Sequence, residues 1–144
     1  MKKVFLDANI VIDALIEEGE DMYNALKILS LVDEGRIFAY CSALSLGTVS
    51  YFMDKKKIDS QEIIRQLNIF CGYCTPTRVD ATVVRQALDS AFTDFEDALQ
   101  YFSAMTEKTD MIITRNGKDF KHATIPIYTP VQFLEMMKKE INRM

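Results

Sequence analysis

Hydrophobic positions along the chain follow two alternating rhythms. Val4-Phe5-Leu6, Ile37-Phe38-Ala39-Tyr40 and Met111-Ile112-Ile113 are short apolar runs rich in β-branched and aromatic residues, the pattern of strands buried on both faces of a parallel sheet. Between them apolar residues recur at helical spacing. One helix is expected from about Asn9 to Ile16, and a second, carrying Met22, Ala25, Leu26, Leu29 and Val32, ends near Gly35. Ser42 is placed to cap a helix from Ala43 to Met53, and Ser60 opens another to about Phe70. Cys74 to Val79, interrupted by Pro76, reads as a short strand or loop before Asp80 caps a helix through Ser90. Thr93 and Glu96 have the spacing of a capping box for a helix reaching about Lys108. Ile125 to Tyr128 is expected as an edge strand, and Thr129-Pro130 starts a last amphipathic helix. Strands alternating with helices predict an α/β fold, with a parallel sheet covered on both faces.

The polar residues gather where two of these strands stop. Leu6 gives way to Asp7 and Asn9, and Ile113 gives way to Thr114, Arg115, Asn116 and Asp119. Ligands of open parallel sheets bind at that end of the strands, so if the two strands are neighbours their polar ends share one crevice. Asp94 and Asp97, three apart in the first turn of a helix, share one face and add two more carboxylates. Crowded carboxylates raise one another's pKa values, and a hard divalent ion with oxygen ligands relieves the repulsion. Acidic clusters that hold Mg²⁺ or Mn²⁺ cleave phosphodiesters by activating a water and stabilising charge on the leaving oxygen.

Composition narrows the alternatives. With 144 residues, 49% hydrophobic and 26% charged, residues 1–144 are expected to form a single domain around one core. Seventeen basic against 21 acidic residues give a net charge of -4, so there is no basic field for gripping a phosphate backbone, and any nucleic acid contact must be local. Three cysteines are an odd count, unlike a secreted disulfide scaffold. The apolar run after Lys2-Lys3 is broken at once by Asp7, Asn9 and Asp13, and no stretch is long enough for a membrane helix, so the expectation is a soluble cytoplasmic protein with no membrane partner. A zinc site would need Cys41, Cys71, Cys74 and the single histidine, His122, together, and no glycine-rich nucleotide cradle is present.

Leu6-Asp7-Ala8-Asn9, the run from Asp94 to Leu99 and the run from Ile112 to Phe120 occur in the order and spacing of one known family. Together they resemble the PIN domain over essentially the whole chain. The resemblance implies a three-layer α/β/α domain with a central, mainly parallel sheet and a metal-dependent ribonuclease acting on single-stranded RNA. Small stand-alone members are often toxins paired with an antitoxin, and they commonly form homodimers. By this resemblance Asp7 is the first metal ligand and Asp97 the acidic residue of the later helix, with Asp94 sharing or replacing that role. Thr114 positions a carboxylate or water, and Asp119 compensates for Asn116, which stands where many members carry a further acid. Asp7, Asp97, Asp94 and Asp119 thus form the expected Mg²⁺ or Mn²⁺ set, and Asn9, Arg115 and Asn116 the expected substrate contacts. The departure is Thr48, at the position where the family usually has a Glu facing Asp7. It favours an alternative in which the domain no longer cuts, and binds RNA or a protein partner instead. An aspartyl phosphotransfer enzyme is a further rival, although Asp7-Ala8-Asn9 lacks its second carboxylate.

Overall fold

The computed structural model describes residues 1–16 and 18–143. Five parallel strands form one sheet: β1 (Lys2–Leu6), β2 (Ile37–Ser42), β3 (Cys74–Thr77), β4 (Met111–Ile113) and β5 (Ile127–Tyr128), in the order β3-β2-β1-β4-β5. The helices are α1 (Ala8–Leu15), α2 (Glu20–Asp33), α3 (Ala43–Lys55), α4 (Ser60–Tyr73), α5 (Ala81–Leu88), α6 (Phe95–Thr106) and α7 (Pro130–Asn142), with a 3₁₀ turn at Gly117–Phe120.

Strand burial explains the continuous apolar runs. Val4, Leu6, Ile37, Ala39, Met111 and Ile113 point to one face and pack with Ile10, Ile28, Met53, Phe70 and Phe133 from α1, α2, α3, α4 and α7. Phe5 and Ile112 point the other way, onto Tyr101 and Ala104 of α6 and onto Phe120, and a smaller cluster of Val83, Ala87, Ala98 and Leu99 joins α5 to α6. Both sides of each central strand are therefore dry, and the three-layer α/β/α arrangement follows.

Local chemistry sets the ends. Gly35, at φ 73, follows the last turn of α2, where the Gly35 N–H donates to Val32 and the Arg36 N–H to Leu31. This is a Schellman stop, and it turns the chain straight into β2. Thr129 and Gln132 cap α7 reciprocally, with Pro130 in its first turn. At α6 the expected box between Thr93 and Glu96 does not form. Asp94 is the cap instead, its Oδ1 accepting from the Asp97 N–H at 2.9 Å. The edge strand β5 is shorter than expected because Pro126, which offers no N–H, stands before it; the Pro126 carbonyl still accepts from Ile112. None of the described helices is long and apolar enough to cross a membrane.

The chain runs outward from β1 through β2 to β3, then returns to lay β4 on the other side of β1. Strand order therefore reverses between β1 and β4. Their carboxyl ends open a crevice there, as in other doubly wound sheets.

Candidate functional site

Asp7 follows the last residue of β1 and Thr114 follows the last residue of β4, and the Asp7 N–H donates to the Ile113 carbonyl at 3.0 Å. The two polar side chains thus sit side by side at the reversal point. Both are buried, Asp7 at 7% exposure. Thr114 Oγ1 donates to Asp7 Oδ2 at 2.7 Å, and accepts from Asn9 Nδ2 at 3.2 Å and from the Asn116 N–H at 3.1 Å. Asn9 Nδ2 also approaches Asp7 Oδ2 at 3.4 Å. The other carboxylate oxygen, Oδ1, accepts from the Ala8 N–H at 2.8 Å and from Gln100 Nε2 at 3.1 Å. Capping the first turn of α1 is therefore one part of what Asp7 does. A carboxylate this well supplied with donors is held in one orientation.

Asp7, Asn9 and Gln100 line a cleft of about 800 Å³. Asp94, Glu96 and Asp97 line it from the start of α6, Asn116 and Asp119 from the turn after β4, and Thr48 and Phe52 from α3. Lys118, Lys121 and His122 lie on the same wall as Asp119. Asp97 is half-buried, and its carboxyl is pushed up to about 7 from the ordinary 3.8, first by loss of water and then by the charges of Asp94, Asp119, Asp7 and Glu96. The carboxylates of three separate segments act on one small volume. They do not form a closed cage: among the described residues, no three His, Cys, Asp or Glu side chains are grouped closely enough to hold an ion. Asp94, while lining the cleft, spends one oxygen on its own helix.

Two expected residues stand differently in the structure. Arg115 is directed to the helices behind the cleft: its Nε pairs with Asp13 of α1 at 2.9 Å, and Nη1 lies 3.8 Å from Asp21 of α2. Its backbone N–H also donates to Asn9 Oδ1 at 3.3 Å. Asp13 is only 1% exposed. Thr48 lies on the cleft wall where an acid was sought, but its hydroxyl donates to the Leu44 carbonyl of its own helix at 3.1 Å. The α3 side of the cleft accordingly contributes no carboxylate to these contacts.

The sequence reading missed Gln100. It is fully buried on α6, one turn after Asp97, and it touches Asp7, Ser42 and Ser45 at once. An amide interrupting the apolar run from Ala98 to Tyr101 was the visible signal. Its partners on β2 and α3 come near only in the folded chain.

A family model described as PIN domain matches residues 3–118. Ribonuclease VapC1 of Aquifex aeolicus (strain VF5) is 27% identical over 139 residues, covering 93% of this chain and 94% of that protein. Among solved structures, VapBC2 from Rickettsia felis bound to a DNA fragment from their promoter superposes with a TM-score of 0.63 at 19% identity, over 88% of this chain and 98% of that one. A toxin-antitoxin complex from Klebsiella pneumoniae gives 0.61 at 19% identity, over 88% and 97% of the two chains. At that identity these two likenesses speak for the fold.

Proposed function

The chain belongs to the PIN domain family, and from that premise we propose that it is a divalent-metal-dependent endoribonuclease of single-stranded RNA, acting as the toxin of a toxin-antitoxin pair. The observation that carries this reading is that Asp7 after β1, Asp94 and Asp97 at the start of α6 and Asp119 after β4 line one cleft, where loss of water and then the neighbouring charges push the Asp97 carboxyl up to about 7. Folded proteins tolerate such repulsion where a cation or a proton relieves it.

The donor set suits a hard ion. Every candidate ligand atom is oxygen, and Mg²⁺ or Mn²⁺ keeping most of its waters needs only one or two carboxylates, so a closed cage is not required. Asp7 and Asp97 are the direct ligands in this reading, with Asp94 and Asp119 engaging through water. When bound, the ion activates a water for attack on the phosphodiester and neutralises charge on the phosphoryl oxygens. The chain's own residues do the rest. Thr114 and Asn9 fix Asp7, Asn116 faces the substrate from the β4 turn, and Lys118 and Lys121 meet backbone phosphates that the acidic floor would otherwise repel. The names of the relatives, a ribonuclease and toxin-antitoxin complexes, support the biological role. A basic side chain from an antitoxin would complement the acidic cleft. Three free cysteines, two of them buried, go with a reducing cytoplasm, and exposed Tyr51 and Phe52 on α3 support pairing of two copies as a homodimer.

The test is cleavage of a labelled, unstructured RNA with Mn²⁺, Mg²⁺ or chelator, beside an Asp7→Asn preparation. Cutting that needs both the metal and Asp7 supports the nuclease; cutting by the Asp7→Asn protein at the wild-type rate refutes it. Thr48 favours a second reading, a domain that binds RNA or a protein partner without cutting, because its hydroxyl is spent on its own helix and supplies no acid. In that case the folded protein binds Mg²⁺ no better than an ordinary acidic surface does.

A further inference from the structure

Gln100 is a polar side chain at 1% exposure, and the two serines it meets, Ser42 and Ser45, are equally buried. Proton counting fixes how the three interact. Ser42 Oγ donates to Gln100 Oε1, so its oxygen is left to accept from the Ser45 N–H at 3.1 Å and from Ser45 Oγ at 3.2 Å. Ser45 Oγ in turn accepts from Gln100 Nε2 at 2.8 Å. The hydroxyls and the amide thus form a closed ring in which each proton has one destination. One amide proton remains, and it points at Asp7 Oδ1, 3.1 Å away. Turning the amide over would set its oxygen against the Asp7 carboxylate, although the serine hydroxyls, which both donate and accept, could reverse to meet it. The Asp7 carboxylate therefore fixes which way round the amide sits, and the two serines hold the amide in place against it.

The consequence falls on the two oxygens of Asp7 unequally. Oδ1 accepts two hydrogen bonds of ordinary length, from Ala8 and Gln100, which is a full complement. Oδ2 has one short bond from Thr114, and only the long 3.4 Å approach of Asn9 on its other side. We propose that Gln100 is a positioning residue for the ion site: locked by Ser42 and Ser45, it occupies Oδ1 and leaves Oδ2 as the one oxygen Asp7 offers a cation. This inference rests on the reading that the cleft holds a divalent ion. It adds that the ion's affinity is set partly from behind, by an uncharged amide that never touches it. Residues of this kind around other metal sites alter affinity by about tenfold or more when replaced.

The experiment counts free Mn²⁺ by electron paramagnetic resonance over titrations of the wild type, Asp7→Asn, Gln100→Met and Ser103→Ala. Met keeps the length of Gln100 without its donor. Ser103 is a control on the same helix: its buried hydroxyl donates to the Arg78 carbonyl at 2.7 Å and lies 2.6 Å from Thr77 Oγ1, away from Asp7. The expected result is a loss of affinity of about tenfold in Gln100→Met, while Ser103→Ala lowers the melting temperature and leaves the affinity unchanged. A folded Gln100→Met that binds Mn²⁺ like the wild type overturns the inference and leaves the nuclease reading intact. If Gln100→Met does not fold, the Ser42→Ala/Ser45→Ala pair, which removes the contacts that hold the amide against Asp7, must show the same loss, and unchanged affinity there overturns the inference equally. A second readout is the Gln100 side-chain amide resonance, which should move with Mg²⁺ along the binding curve; a stationary resonance at saturation overturns the inference. A wild type with no Mn²⁺ binding that depends on Asp7 overturns the underlying reading, and the inference with it.

Discussion

Replacing Asp97 by Asn removes a charge that the ion-free cleft holds at a cost. The carboxyl titrates at about 7 in the folded protein against an ordinary 3.8. At about 1.4 kcal/mol for each tenfold change in proton affinity, that difference would be worth about 4 kcal/mol. Asp97 keeps part of its contact with water, and Asp94, Glu96 and Asp119 are exposed, so screening reduces the figure to about 1–2 kcal/mol. The sign follows from proton binding. Below pH 4 the carboxyl is protonated in both states and costs nothing. As pH rises from about 4 to about 7 the unfolded chain releases its proton first, so the folded state loses stability, and above the folded value the penalty is complete. Asn mimics the protonated form at every pH. In chelator, Asp97→Asn should match the wild type near pH 4 and exceed it near pH 8 by about 1–2 kcal/mol, a rise in melting temperature of about 3–6 °C. Thermal melts of the two proteins across that range measure the difference directly. Saturating Mn²⁺ should close most of that gap at pH 8, because the wild type binds the ion about tenfold tighter and so gains about 1.4 kcal/mol more. A difference in melting temperature that stays constant from pH 4 to pH 8 in chelator would show that Asp97 carries no such penalty.

Thr114→Val keeps the shape of a buried side chain but removes the donor to Asp7 Oδ2, and should cost about 1–3 kcal/mol by urea denaturation at neutral pH. Arg115→Met withdraws the cation that Asp13 pairs with behind the cleft, and should cost about 2–4 kcal/mol in the same assay. In a non-cutting Asp7→Asn background, removing both Lys118 and Lys121 should weaken RNA binding and make its dependence on log salt concentration shallower by about 1–2. Filter binding at several salt concentrations checks this, and the Arg115→Met protein should keep the original slope.

Much of this arrangement was legible before folding because strands buried on both faces leave an unambiguous mark. Val4-Phe5-Leu6 and Met111-Ile112-Ile113 read as strands, and the register that sets Leu6 beside Ile113 brings Asp7 and Thr114 together. What sequence does not carry is the choice between adjacent capable residues and the identity of distant partners. Thr93 and Asp94 both make good helix caps, and the loop before them decides: Phe92 packs on Tyr101 and Phe120, with ring centroids 5.3 and 6.4 Å away, and that anchor leaves Asp94 at the cap position. Gln100 was hidden for the second reason. Its serine partners show a helical spacing of three that is equally suited to a plain cap, and only the packing of α6 across β2 gives the spacing its meaning. Arg115 stands in a run of strand-end polar residues that suggests substrate contact, and its pairing with Asp13 of α1 is made only in the folded chain.

In the proposed reading one divalent ion, held by Asp7 and Asp97, makes this cleft cut RNA. The most direct measurement is the single-turnover cleavage rate of an unstructured RNA as Mn²⁺ is raised, with ion binding followed in parallel, for the wild type and Asp97→Asn. The wild-type rate should saturate at the same midpoint as ion binding, and the midpoint should be displaced upward about tenfold or more in Asp97→Asn. Cleavage that persists in chelator, or that saturates identically in the two proteins, would contradict that reading.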